Sequence, residues 1–179
     1  VIVRRLPRQR QRKALYLSTL RSYLFTRVVS QRVQENTWNR VLLGDWLVLA
    51  GSRSGFVAEQ DALDELQRRC DEYDLSPSGP LVGGGAVLVT QDAADLEDNC
   101  LDAFSALREC LSEFGLEQQR RSLRLKPQAL KLSAIEGDPV LEFELEAGAF
   151  ATVVLREIAE ISDASKKAKT GESSNHSDE

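Results

Sequence analysis

Two groups of residues in this 179-residue chain have types and spacing suited to chemistry or ligand contact. The first is Arg120, Arg121, Arg124 and Lys126, inside a stretch (118–131) with five positive charges and no acid. On a strand, Arg124 and Lys126 project to one face, where they can meet a phosphate backbone. The same charges suit pairing with acidic residues elsewhere in the protein, and composition leaves both readings open. The second is the stretch "GAFATVVLRE" (148–157), where a single aromatic, Phe150, stands among small residues between a strand pattern and a helix pattern. Such a ring either packs into a core or faces a planar ligand. Gly148 allows close approach of backbone or base. Arg156, just beyond on the helix, can meet a carboxylate or a phosphate.

Other chemistries are excluded. The one histidine, His176, lies in a polar tail, so a Ser-His-Asp triad or a Cys-His pair has no base. Cys70, Cys100 and Cys110 are odd in number and show no CxxC spacing, which fits small core residues in a reducing cytoplasm. A zinc site built on histidine or paired cysteine is ruled out. Gly83–Gly85 is followed by no Lys-Ser or Lys-Thr and opens no GxGxxG helix, which leaves a flexible loop as the better reading than a phosphate cradle. The acidic segment 59–74 intersperses arginines and lacks the spacing of a calcium loop, so it reads as a solvated helix face.

The net charge of −5 conceals segregation: Lys+Arg against Asp+Glu is 10 to 1 over residues 1–40, 4 to 16 over 41–117, and 1 to 8 over 132–163. No apolar run reaches membrane-span length, and "VIVRRLPRQRQRK" has no apolar core of a secretory signal. Hydrophobic periodicity predicts a helix over 12–33 through Leu17, Leu20, Leu24 and Val28, with Arg21 and Arg32 sharing a side. A strand is expected at Trp46–Leu49 after a Gly44-Asp45 turn. A helix capped by Asp61 should run to about Tyr73, and "SPSGPLVGGG" (76–85) reads as loop. A long helix is expected over 92–114, ended by Gly115. A basic strand is expected near 120–130, and an alternating strand over 140–148 turns Leu141, Phe143 and Leu145 to one face. A last helix over 151–161 should bury Val154, Leu155, Ile158 and Ile161. Residues 1–11 and 164–179 lack apolar periodicity, and the tail reads as disordered. The fold class is mixed α/β.

The stretches "LSTLRSYLF" (17–25), Gly44-Asp45, "GPL" (79–81), "RRSLRLKP" (120–127) and "GAFATVVLRE" (148–157) together resemble the tRNA pseudouridine synthase D family in order and spacing. The resemblance covers about residues 12–163. It implies a cytoplasmic, cofactor-free isomerase that converts a D-arm uridine of tRNA to pseudouridine. In the family's mechanism an aspartate attacks, the glycosidic bond to N1 breaks, the uracil rotates and C5 rejoins the sugar. The implied fold is an α/β catalytic domain interrupted by a family-specific insertion. Residues 1–117 then correspond to most of the insertion, and 118–163 to the closing strands and last helix of the catalytic domain.

By the same resemblance Phe150, Gly148, Thr152 and Arg156 contact the substrate, while Arg21, Arg120, Arg121, Arg124 and Lys126 contact RNA. An unstacked uridine would regain on the Phe150 ring the stacking it loses. Three departures from the family pattern, Thr26, Glu146 and Ala149, touch no chemistry directly. A larger one does: the family's nucleophile lies in an upstream glycine–lysine–aspartate motif, and no Lys-Asp dipeptide occurs here. The partner asparagine–x–phenylalanine motif is missing too. The expected assignment is therefore the C-terminal portion of the enzyme, inactive alone, whose partners are tRNA and the missing N-terminal half of the catalytic domain. The alternative is a non-catalytic RNA-binding or adaptor module.

Overall fold

The computed structural model describes residues 10–52, 54–145 and 149–160. The expectations for residues 1–9, Gly148, Ile161, the 164–179 tail and His176 lie outside the described residues. The chain divides after Arg124 into two compact units.

The first unit opens with α1 (Arg10–Gln34), matching the periodicity of residues 12–33. Its Leu17, Leu24 and Val28 are buried with Val82, Leu101 and Leu111 in one core. Gly44, at φ +80°, makes the turn that delivers Asp45 to the start of β1 (Trp46–Leu49). A side chain at Gly44 would run into the Thr90 carbonyl, so both φ and space require glycine. β2 (Gly55–Val57) pairs antiparallel with β1. A 3-10 turn at Gln60–Ala62 and then α2 (Leu63–Asp71) follow. The helix start differs from expectation: Asp61 lies inside the 3-10 turn, and neither element has a side-chain cap. Leu66 and Cys70 of α2 join Leu47, Ala58 and Leu75 in a second core.

The largest correction concerns "SPSGPL", expected as loop. It forms most of β3 (Leu75–Leu81), an interior strand of the sheet β2-β1-β3-β4. Proline cannot donate to a ladder and is normally confined to strand edges. Here β1 covers Leu75–Pro77 and β4 covers Ser78–Leu81, so each half of β3 has a free side. Pro77 still accepts from the Leu123 amide, beyond the end of β4.

The helix expected over 92–114 is also corrected. It is α3 (Gln91–Leu101), a 3-10 turn at Asp102–Phe104, and α4 (Ser105–Glu113). In an unbroken α-helix Leu101 and Leu111 would stand about 80° apart around the axis. Three residues wound at about 120° each bring them close to one line, and both are buried in the first core. Gly115, at φ +70°, ends the helix as expected. The triple glycine is loop but not slack. Gly84 N donates to Leu116 O at 2.6 Å, Gln118 N donates to Gly84 O at 2.7 Å, and a side chain on Gly83 would meet the Leu116–Glu117 backbone.

β4 (Gln119–Ser122) pairs antiparallel with β3 and closes the unit. The basic strand therefore ends before Arg124 and Lys126, and the expected shared strand face does not form. The first unit runs through Arg124 and so includes β4 with the sheet it pairs with.

The second unit contains the hairpin of β5 (Gln128–Ile135) and β6 (Asp138–Glu144). Glu136 and Gly137, at φ 54° and 92°, form its two-residue turn, the positive-φ geometry that matches strand twist. Leu141, Phe143 and Leu145 are half-buried while Glu142 and Glu144 are exposed, as the alternation predicts. α5 (Ala151–Arg156) is shorter than expected and buries nothing: Val154 and Leu155 are half-buried and Ile158 is exposed. One two-stranded hairpin offers too little apolar surface to cover them. Helices combined with antiparallel sheets make the fold mixed α+β.

Candidate nucleic-acid interface

The basic cluster resolves residue by residue. Arg120, on β4, sends its side chain into the first unit, where it is 3% exposed. Its Nη1 and Nη2 donate to Glu97 Oε2 and Oε1 at 2.9 and 2.6 Å, a bidentate pair with a carboxylate that is itself 9% exposed. Nε donates to Ser78 Oγ at 3.1 Å and Nη2 to Ser78 O. Burial pushes the Glu97 carboxyl up, opposed by the hydrogen bond and charge of Arg120. Arg124 is also committed within the unit. Its Nη2 donates to Cys70 O and Leu75 O, both at 2.8 Å, and its guanidinium lies 4.5 Å over the Tyr73 ring. Arg120 pairs with an acid of the same unit, Glu97, whereas Arg124 meets backbone carbonyls, the Ser76 hydroxyl and the Tyr73 ring. Arg120 is buried in these contacts, and Arg124 is half-buried.

Arg21 is on α1 and donates through Nη2 to Leu81 O at 2.7 Å and Glu117 O at 2.8 Å. Burial lowers its pKa. This joins α1 to the end of β3 and to the chain entering β4, so Arg21 too has an internal role. Arg121 lies 5.4 Å over the Phe25 ring. Phe25 also touches the Gly79 position, where a side chain would come within 3.0 Å of the ring and 3.1 Å of Leu123. Three stretches singled out in the sequence, 17–25, 79–81 and 120–127, thus meet at one packing point. Lys126 is exposed in the second unit.

Arg32 and Asp45 form a second buried pair that sequence reasoning missed. Arg32 Nη1 and Nη2 reach Asp45 Oδ1 and Oδ2 at 3.1 and 2.9 Å, and Leu42 N donates to Oδ2 at 2.8 Å. Arg32 also donates through Nε to Thr37 O and through Nη2 to Arg40 O. Burial pushes the Asp45 carboxyl up, with Arg32 pulling it down. The signal available in sequence was Asp45 itself, a lone acid at a turn after a helix without acids.

In the second unit Phe150 immediately precedes α5, with extended backbone at φ −118° and ψ 122°. Its carbonyl accepts from Val153 N at 3.0 Å, while its ring is 69% exposed. Within this unit the ring is not core. Thr152 and Arg156 are exposed and four residues apart on α5, so they share a face. Gly148 lies outside the described residues. Among the described residues no group of three His, Cys, Asp or Glu is placed to hold a metal ion. No described helix is long and apolar enough to cross a membrane.

Comparison with known proteins matches this chain to one family. The family described as tRNA pseudouridine synthase D (TruD) matches residues 3–158. A tRNA pseudouridine synthase D of Xanthomonas oryzae pv. oryzae is 43% identical over 157 residues, covering 86% of this chain and 42% of that relative. One from Nitrosococcus oceani is 42% identical over 161 residues, covering 88% of this chain and 44% of its own length. A crystal structure from Methanosarcina mazei, described as a tRNA pseudouridine synthase D, shares the fold with a TM-score of 0.57. That likeness covers 76% of this chain and 36% of the other, at 21% identity. The chain spans less than half the length of these curated relatives. Matched from residue 3 to residue 158, the chain belongs to the tRNA pseudouridine synthase D family.

Proposed function

We propose that this chain supplies the C-terminal portion of an enzyme that isomerises a D-arm uridine of tRNA to pseudouridine. The observation that carries this reading is the exposed ring of Phe150 at the start of α5. A buried junction would hide that ring, whereas a base taken out of its stack needs an open π-face. Thr152 and Arg156 flank it on the exposed face of α5, where a hydroxyl and a guanidinium can hold ribose or phosphate oxygens. Gly148, which carries no side chain, is assigned to the same contact by its place in the family motif. The nucleophilic aspartate is contributed by sequence this chain does not contain, so the chain alone should be inactive.

Residues 1–117 act in this reading as most of the family's insertion, and 118–163 as the end of the catalytic domain. The exposed Leu130 and Leu132 of β5, two residues apart on one face, support it, since they give the hairpin an apolar surface for the rest of a catalytic sheet. Lys126 and Arg121 remain as RNA contacts.

The test joins this chain to the aspartate-bearing half and measures pseudouridine in a tRNA transcript. Activity should appear in the joined protein and be absent from the 179-residue chain alone. Isomerisation by the chain alone would overturn the assignment of the nucleophile. An active joined protein indifferent to Phe150→Ala would overturn the role given to the ring.

A further inference from the structure

α1 carries Arg10, Arg12, Lys13, Arg21, Arg27 and Arg32 and no acidic residue, whereas residues 41–117 carry four basic and 16 acidic ones. Three of these cations are committed within the unit: Arg21 to backbone carbonyls, Arg32 to Asp45, and Lys13 over the Phe114 ring at 4.2 Å. Arg12 and Arg27 are exposed and have no ion-pair partner among the described residues.

The spacing of the exposed residues is regular. Arg12, Tyr16, Thr19, Tyr23 and Arg27 are separated by four, three, four and four residues, which puts them along one side of the helix. Tyr16 and Tyr23 are 51% and 49% exposed. Tyr23 is braced edge-on by Phe104, with ring centroids 5.6 Å apart, which fixes its orientation while leaving ring surface open. From Arg12 to Arg27 the row is about 22 Å long, and the two tyrosines stand about 10 Å apart.

A helix face that serves solubility alone mixes charges, and α2 of the same unit does so: Arg68 bridges Glu65 and Glu72 there. The outer face of α1 lacks such pairs and carries two half-open phenol rings between cations. Positive charges interleaved with aromatic rings suit a chain of phosphates and unstacked bases. The acidic remainder of the unit repels such a ligand and favours approach on this helix.

We propose that this outer face of α1 is an RNA-contact surface. Arg12 and Arg27 hold phosphates at its two ends, and Tyr16 and Tyr23 offer stacking surface between them. The identification of the ligand as RNA rests on the function proposed above; the surface itself is separate from Phe150 and α5.

The experiment measures binding of a labelled tRNA transcript to the 179-residue chain across a salt series, for wild type, Arg12→Gln, Arg27→Gln, Tyr16→Ala and Tyr16→Phe. All four variants change exposed side chains, and melting curves should show them folded. Each arginine variant should flatten the plot of log affinity against log salt by roughly 0.7–0.9 units. Tyr16→Ala should weaken binding roughly 5- to 150-fold with the slope kept, and Tyr16→Phe should retain most of the affinity. Unchanged affinity and slope in Arg12→Gln, Arg27→Gln and Tyr16→Ala would overturn the proposal, as would a wild-type chain that binds no tRNA at low salt. A change in oligomeric state on Tyr16→Ala, with RNA binding untouched, would assign the face to a second copy and also overturn it. Pseudouridine formation by the joined protein is read separately. Its absence alongside the predicted binding effects would reject the proposed function and leave this surface standing.

Discussion

Arg120 on β4 and Glu97 on α3, 23 positions apart in sequence, form a bidentate ion pair almost closed to water, and Ser78 accepts two further guanidinium hydrogen bonds. Removing one partner of such a pair leaves a buried charge uncompensated, at a cost of about 3–5 kcal/mol. Glu97→Ala and Arg120→Ala should each destabilise the protein by that order. Glu97→Leu with Arg120→Met together should recover much of the loss. A double-mutant cycle from chemical denaturation checks this, and additive losses would show that the pair is not coupled.

The pH dependence follows from the same burial. Glu97 and Asp45 both have carboxyls pushed up in the folded state, burial being the larger cause. The native protein therefore holds these protons more tightly than the unfolded chain. From about 4, the ordinary carboxylate value, up to their raised folded values, these two groups make stability fall as pH rises. Glu65 works in the opposite direction: hydrogen bonding to Arg68 lowers its pKa, and its contribution is lost on acidification. In melting curves taken across this range, Glu97→Gln should lower stability overall and flatten the descending limb. An unaltered pH profile would mean Glu97 does not titrate differently on folding.

Two glycines at positive φ should respond unequally to alanine. Gly51, at φ +68°, has open space around it, so Gly51→Ala should cost only the left-handed conformation, about 1 kcal/mol. Gly44 has the same kind of backbone but faces the Thr90 carbonyl, so Gly44→Ala must displace the chain entering α3 and should cost several times more. Urea midpoints of the two variants, compared at equal m-values, check this.

Phe150→Ala should leave the melting temperature of the 179-residue chain nearly unchanged, because the ring is already 69% exposed. In the protein joined to its aspartate-bearing half, the same change should slow single-turnover isomerisation by the value of one stacked base, roughly 1–3 kcal/mol. Phe150→Tyr should keep most of the rate, since the π-face survives. Melting curves of the joined protein distinguish the alternative: a loss of 3–5 kcal/mol of folding stability there would make the ring core in the assembled enzyme.

Much of this was legible in sequence because it rests on periodicity. The apolar row of α1, the strand at Trp46–Leu49 and the alternation of β6 all follow from side chains that must leave water. β3 was not legible: two prolines and a glycine in seven residues carry a turn signature, and only the staggered cover of β1 and β4 makes them tolerable. The break between α3 and α4 was hidden for a related reason. The 3-10 turn adjusts the phase of two apolar rows by a fraction of a turn, too little to disturb the spacing read along the chain. In the basic segment, charge density suggested a surface, while the acid that meets Arg120 is an unremarked glutamate of a helix remote in sequence. Lone charges carry no periodic label, so buried ion pairs are where composition misleads most. The glycine and aromatic of 148–157 drew notice as a pattern, but only the structure could separate an exposed ring from a packed one.

The staggered cover of β3 also limits where this protein can be divided. A chain stopped at Glu117 would omit β4, opening the Ser78–Leu81 edge of the sheet and stranding Glu97 without its guanidinium. A chain stopped after Arg124 would keep the Leu123 amide on Pro77 and the Arg124 bonds to Cys70 and Leu75. The natural seam of the molecule is therefore the short passage between β4 and β5, and a graft of the first unit onto another protein should be joined there.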